Sequence, residues 1–163
     1  MVFTLASFLM PPLLVFGVYH LLTWFNTFAM DERTYWKRVA LASGISHLLL
    51  VTGFLVFSYF DLQAHVRLQG TDTAFGPFLF NRSDFWRLMT IFDTAATFAI
   101  LGLFSVLDRM GINPPGLVLV TFTVIYVMGT LQWYWLGGGI GALMEKFWAG
   151  LKTGDEEEEE EWF

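Results

Sequence analysis

Apolar residues gather into four stretches along the chain, roughly 5–28, 38–60, 86–107 and 116–136, and the charged residues fall mostly in the breaks between them. At about 1.5 Å per residue, each stretch is long enough to cross a hydrocarbon layer about 30 Å thick. The breaks read MDERTYWKR, DLQAHVRLQGTDTAFGPFLFNRSDFWR and DRMGINPPG. Backbone groups in lipid must be satisfied within each segment, so the pattern predicts an all-α integral membrane protein. Its transmembrane domain is expected over residues 1–139, as four helices in an up-down bundle.

Local chemistry supports these boundaries. Asn81, Ser83 and Asp84 offer capping oxygens ahead of the third stretch, and Asn113-Pro114-Pro115 closes a loop and opens the fourth. Pro11-Pro12 either kinks the first helix or delays its start. Trp24, Tyr35, Trp36, Tyr59, Trp86, Trp133, Tyr134 and Trp135 lie near the ends of the stretches, where an interfacial aromatic belt belongs.

Gly137-Gly138-Gly139 is expected to interrupt the fourth helix. Beyond it, Ile140, Leu143, Met144, Phe147, Trp148 and Leu151 recur at helical spacing, with Glu145, Lys146 and Lys152 beside them. This predicts an amphipathic helix over 140–152, lying in the membrane interface or against a partner. Residues 153–163 then form an acidic tail that ends in two aromatics, expected to be extended and hydrated because its like charges repel.

Composition strengthens the membrane assignment. The chain of 163 residues is 55% hydrophobic and 15% charged, with a mean hydropathy of +0.55. Soluble domains carry about a quarter charged residues, and one of this size would leave the apolar excess exposed. The net charge of −6 is misleading, because Asp155 and Glu156 through Glu161 alone carry seven of the fifteen acids. Acidity therefore belongs to the tail. There is no basic patch with interleaved aromatics, so nucleic acid is not an expected partner.

Several chemistries are excluded at once. With no cysteine, disulfides, iron–sulfur clusters, thiolate zinc sites and cysteine nucleophiles are all ruled out. Neither a P-loop nor a dinucleotide fingerprint, a G-x-S-x-G elbow or an H-E-x-x-H motif occurs. The N-terminal run lacks a basic leader region and continues through YHLLTWFNTF, which predicts a retained membrane segment rather than a signal peptide. Arg33, Lys37, Arg38 and Arg109 sit in the two short loops, which tips the termini toward the outside of a cell membrane, plasma or inner.

Three polar features remain to be explained. His20 and His47 lie at similar distances from the loop they share, the spacing a bis-histidine haem b requires; the alternative is that each bonds a neighbouring hydroxyl or carbonyl. Asp93 lies inside the third stretch, where an ionised carboxylate costs about 2.5–3.5 kcal/mol. With Thr90, Thr94, Thr97, Ser105 and Asp108 it forms a polar stripe expected to face one way. Asp93 is then either a proton or cation site, with His47 or a threonine as partner, or an aspartate that holds helices together. Ser43, Gly44, Ser46, His47, Thr52 and Gly53 predict a packing surface on the second helix, and Gly129, Thr130 and Gln132 offer hydrogen bonds from the fourth.

The tail adds a docking possibility. Acids that steer toward a basic surface, here Asp155, Glu156 and Glu161, followed by Trp162 and Phe163 as anchors, make a short recognition element. With little catalytic apparatus in view, the sequence favours a non-catalytic subunit that assembles, anchors or scaffolds a larger membrane complex. Its expected partners are the lipid bilayer and either other subunits or further copies of itself. The alternatives are an electron-transfer subunit with haem b on His20 and His47, and a small oligomeric transporter or channel that uses Asp93.

Overall fold

The computed structural model describes residues 2–70, 74–75, 78, 82–112 and 117–160, and every regular element among them is helical. In chain order these are α1 (Val2–Trp24), a 3-10 turn (Met30–Glu32), α2 (Tyr35–Gln69), α3 (Ser83–Phe92) and α4 (Thr94–Arg109). They are followed by α5 (Leu117–Val124), a π-helical segment (Ile125–Gly129) and α6 (Thr130–Glu160). The expected capping role of Asn81, the turn at Asn113-Pro114-Pro115 and the docking residues Glu161, Trp162 and Phe163 lie outside the described residues.

Two helical runs, Tyr35–Leu68 and Leu119–Leu151, are long and apolar enough to cross a membrane. The other two expected spans take different forms. α1 covers Val2–Trp24, and Leu9–Trp24 within it is apolar. The third stretch is divided at Asp93, whose φ of −128° and ψ of 50° leave the helical region, so neither α3 nor α4 reaches spanning length alone.

α2 and α6 exceed the lengths expected from the sequence. α2 continues nine residues past Phe60 to Gln69, and α6 runs unbroken through the three glycines to Glu160. The separate helix at 140–152 is therefore the continuation of α6, and the acids from Asp155 to Glu160 are helical rather than extended. Glutamate is a good helix former, and a helix already under way needs no new nucleus.

The chain forms two compact units, one from Met1–Ser46 with Trp133–Phe163, the other His47–Gln132. In the first, the glycines have a packing purpose. A Cβ on Gly137 would strike the Ser43 side chain, and one on Gly141 would lie 2.8 Å from the Trp36 backbone. Gly137 and Gly141 thus let α6 approach α2 closely, as small residues four apart do between membrane helices. Ala40, Ala42, Ser43 and Ser46 of α2 are buried. The hydroxyls of Ser43 and Ser46 donate to the carbonyls of Val39 and Ala42 on their own helix, at 2.8 and 2.7 Å.

The α1–α2 connection in this unit is held by side chains reaching back to the backbone. Asn26, Phe28 and Ala29 all take positive φ, a conformation unfavourable for residues other than glycine. The Asp31 N–H donates to Asn26 Oδ1, the Arg33 guanidinium to the Phe28 carbonyl, and Arg38 to the carbonyls of Arg33 and Asp31. These bonds offset the strain.

The second unit has an apolar core of Val51, Met89, Ile100 and Ile125, packed against Phe54, Trp86, Phe104 and Phe122 among others. Phe75 stacks on Phe122 with their ring planes 23° apart. α3 starts after Arg82, an extended residue whose guanidinium pairs with Asp61, with no side-chain cap on the helix. Thr52 and Tyr126 share a hydroxyl–hydroxyl bond of 3.0 Å between α2 and the π segment.

Candidate functional site

Buried polar side chains of the second unit gather around His47 and Asp93, while Ser58, buried as well, lies about three turns further along α2. His47 on α2 and Asp93 at the α3–α4 break are both fully buried, and His47 Nε2 lies 2.8 Å from Asp93 Oδ1. The other ring nitrogen, Nδ1, shares a bond of 3.0 Å with Thr130 Oγ1 at the start of α6. Asp93 Oδ2 and Thr97 Oγ1, one turn further along α4, are buried with no hydrogen-bond partner among the described residues. An imidazole, a carboxylate and the Thr130 hydroxyl therefore meet where the surrounding sequence is apolar.

Two backbone irregularities make this meeting possible. The first is the break at Asp93. The Asp93 N–H still donates to the Met89 carbonyl, and its own carbonyl accepts from Thr97, so the ladder resumes within a turn. The groups between lose their helical partners, and the Gln132 carboxamide replaces them. Its Oε1 accepts from the Ala95 N–H at 2.9 Å and its Nε2 donates to the Phe92 carbonyl at 3.4 Å. Such bracing satisfies backbone groups that the break in the helix frees.

The second irregularity is the π segment, Ile125–Gly129, a form frequent at functional sites. It ends on Gly129, and a Cβ there would lie 2.6 Å from His47 Nε2 and 2.7 Å from Asp93 Oδ1. Only a glycine lets the backbone pass directly over the pair.

The polar stripe expected along the third stretch does not hold together. Asp93 and Thr97 are buried, but Thr90 and Thr94 are exposed and donate to the carbonyls of Trp86 and Thr90 on their own chain. The rotation at Asp93 breaks the 100° periodicity on which the stripe depended. Ser105 and Asp108 are exposed as well.

His20 belongs to the first unit, where it is exposed and packed edge-on against Phe16 and Tyr19, with centroids 4.3 and 5.7 Å away. His47 Nε2 lies against Asp93 and Nδ1 shares a bond with Thr130. No group of three or more metal-ligating side chains occurs among the described residues.

Gly129 as the roof of the pair, the π segment and the bracing role of Gln132 go beyond the sequence reading. Their one signal was the run Gly129-Thr130-Leu131-Gln132, unusually polar and small for the middle of an apolar helix. Substituting Gln132→Leu is expected to destabilise the protein by about 2 kcal/mol, since two backbone groups lose their partners. Faster amide exchange at Ala95 should accompany it. Gln132→Glu keeps the acceptor for Ala95 and should recover about half of the loss; unchanged exchange in Gln132→Leu would count against the brace.

Compared with known proteins, the chain matches no family model, no curated protein and no solved structure.

Proposed function

We propose that the protein is an integral membrane protein of four α-helical spans, with the α3–α4 pair acting as one of them, and that it works as a small oligomeric proton transporter or channel centred on His47 and Asp93. The observation that carries this reading is the approach to 2.8 Å of two titratable side chains that are each 1% exposed. Buried ionisable residues within membrane segments are expensive and mark proton and ion pathways.

The chemistry follows from counting charge. A proton shared by imidazole and carboxylate can sit on either without altering the net charge of the pair, so its transfer leaves no uncompensated charge in a low dielectric. A proton arriving at Nδ1 from the Thr130 side can be matched by one leaving Nε2 toward Asp93. Asp93 Oδ2, without a partner among the described residues, supplies the onward acceptor. Four spans are few for a conducting path, which is why further copies of the chain are part of the proposal.

Proteoliposomes containing a pH-sensitive dye and driven by a potassium diffusion potential test this reading. The wild-type chain should carry protons at a rate well above that of protein-free vesicles, and Asp93→Asn at matched protein should reduce it at least tenfold. Flux that is unchanged in Asp93→Asn, or a wild type no more permeable than bare lipid, overturns the reading.

A second reading, a non-catalytic subunit of a larger membrane complex, draws support from the outer face of α6. There Ile140, Leu143, Phe147 and Trp148 are all more than half exposed. Such a stripe suits a membrane surface or a partner helix. On this reading His47 and Asp93 hold helices together, and no Asp93-dependent flux is expected. For either reading we place the protein in a cell membrane with its termini outside.

A further inference from the structure

The first unit contains a groove of about 610 Å³ that the proton chemistry leaves unused. Its volume falls within the range of about 300–1,000 Å³ typical of small-molecule sites. One end is formed by Tyr19, His20 and Tyr35, and the other runs between apolar residues such as Pro11, Val15 and Leu136. Along α1, Pro11 and His20 are nine residues apart, so the groove extends over roughly 13 Å.

Its chemistry is selective. Among the described residues no Lys, Arg, Asp or Glu lines it, so an ionised head such as a phosphate or carboxylate would find no counter-charge from them. The polar end supplies donors. His20 carries an imidazole in a setting of aromatic rings, and the Tyr35 hydroxyl donates to Met144 Sδ at 3.7 Å, a weak acceptor that a carbonyl oxygen would readily replace. Tyr19 and Tyr35 meet edge to face with centroids 6.1 Å apart, a surround suited to a flat ring. The ligand this combination fits is neutral, planar, equipped with hydrogen-bond acceptors and attached to a long apolar tail.

We propose that this groove binds an isoprenoid quinone, its ring among Tyr19, His20 and Tyr35 and its tail along α1 and α6. His20 and Tyr35 donate to the ring oxygens. A phospholipid acyl chain would fill the apolar part but leave those donors unused.

The full chain in phospholipid nanodiscs, titrated with decylubiquinone, provides the test. Trp133 lines the groove, so binding should quench tryptophan fluorescence in a saturable manner. His20→Leu, at an exposed position that should tolerate the change, is expected to weaken binding at least tenfold, and Tyr35→Phe about threefold. Ile140→Trp, which fills the groove from α6, should abolish saturation while leaving the helical circular dichroism intact. Solvent extraction of protein purified from native membrane should release a quinone with its characteristic ultraviolet spectrum. Non-saturable quenching, equal affinity in wild type and His20→Leu, or an extract containing phospholipid alone would each overturn the assignment.

Discussion

Gly129→Val is expected to destabilise the protein by more than about 3 kcal/mol, although it adds only a small apolar side chain to an apolar helix. A Cβ at this position would lie 2.6 Å from His47 Nε2 and 2.7 Å from both His47 Cε1 and Asp93 Oδ1, far inside the contact distance of about 3.5–4 Å. Overpacking by itself costs about 1–3 kcal/mol. Here the neighbours cannot yield cheaply, because both are fully buried and bonded to each other. Relieving the clash means opening the pair, which brings in the larger penalty of a buried polar partner left unmatched, about 3–5 kcal/mol. Reversible unfolding in mixed micelles measures the effect. Gly102→Val is the control, since a Cβ there meets nothing within 4 Å. Equal losses at the two positions would mean that the contact at Gly129 is unimportant.

The sensitivity at Gly129 arises from backbone form, and backbone form was the least legible feature of the sequence. Apolar runs announce themselves through composition, so the stretches at 38–60 and 116–136 correspond to helices of spanning length. Helix ends were harder to read. Glycine lowers helix propensity by about 1 kcal/mol, yet α6 passes through Gly137, Gly138 and Gly139 because Gly137 and Gly141 gain close contact with α2. A pairwise gain with a distant helix leaves no trace in local propensity.

The polar residues divide along the same line. Asp93 and His47 stood out because a titratable group in an apolar run is costly wherever it points. Thr90 and Thr94 shared the periodicity of Asp93 but not its environment, since a threonine hydroxyl can satisfy itself on the preceding turn and needs no partner helix. Gln132 is the intermediate case: its amide marked a hydrogen-bonding position, but its target was invisible while the break at Asp93 was unknown.

The last prediction separates the proton reading from the structural one. Asp93→Leu alone should cost about 3 kcal/mol, because His47 then keeps a buried nitrogen without its carboxylate. The double substitution His47→Leu with Asp93→Leu should be near wild-type stability or above it, since replacing both members of a buried pair with apolar side chains is often neutral or favourable. Thr130 can then turn its hydroxyl to a carbonyl of its own helix. The coupling between the two sites, read as a double-mutant cycle in micelles, should thus approach in magnitude the summed cost of the two single changes. Additive losses would show that the two side chains act independently, and would remove the basis for a shared proton. If the double variant is stable and conducts no protons, the pair does more than hold the helices together, because a fold that is at least as stable without it has no structural need of so costly a contact. A stable double variant with undiminished flux would instead place the conducting path elsewhere in the chain.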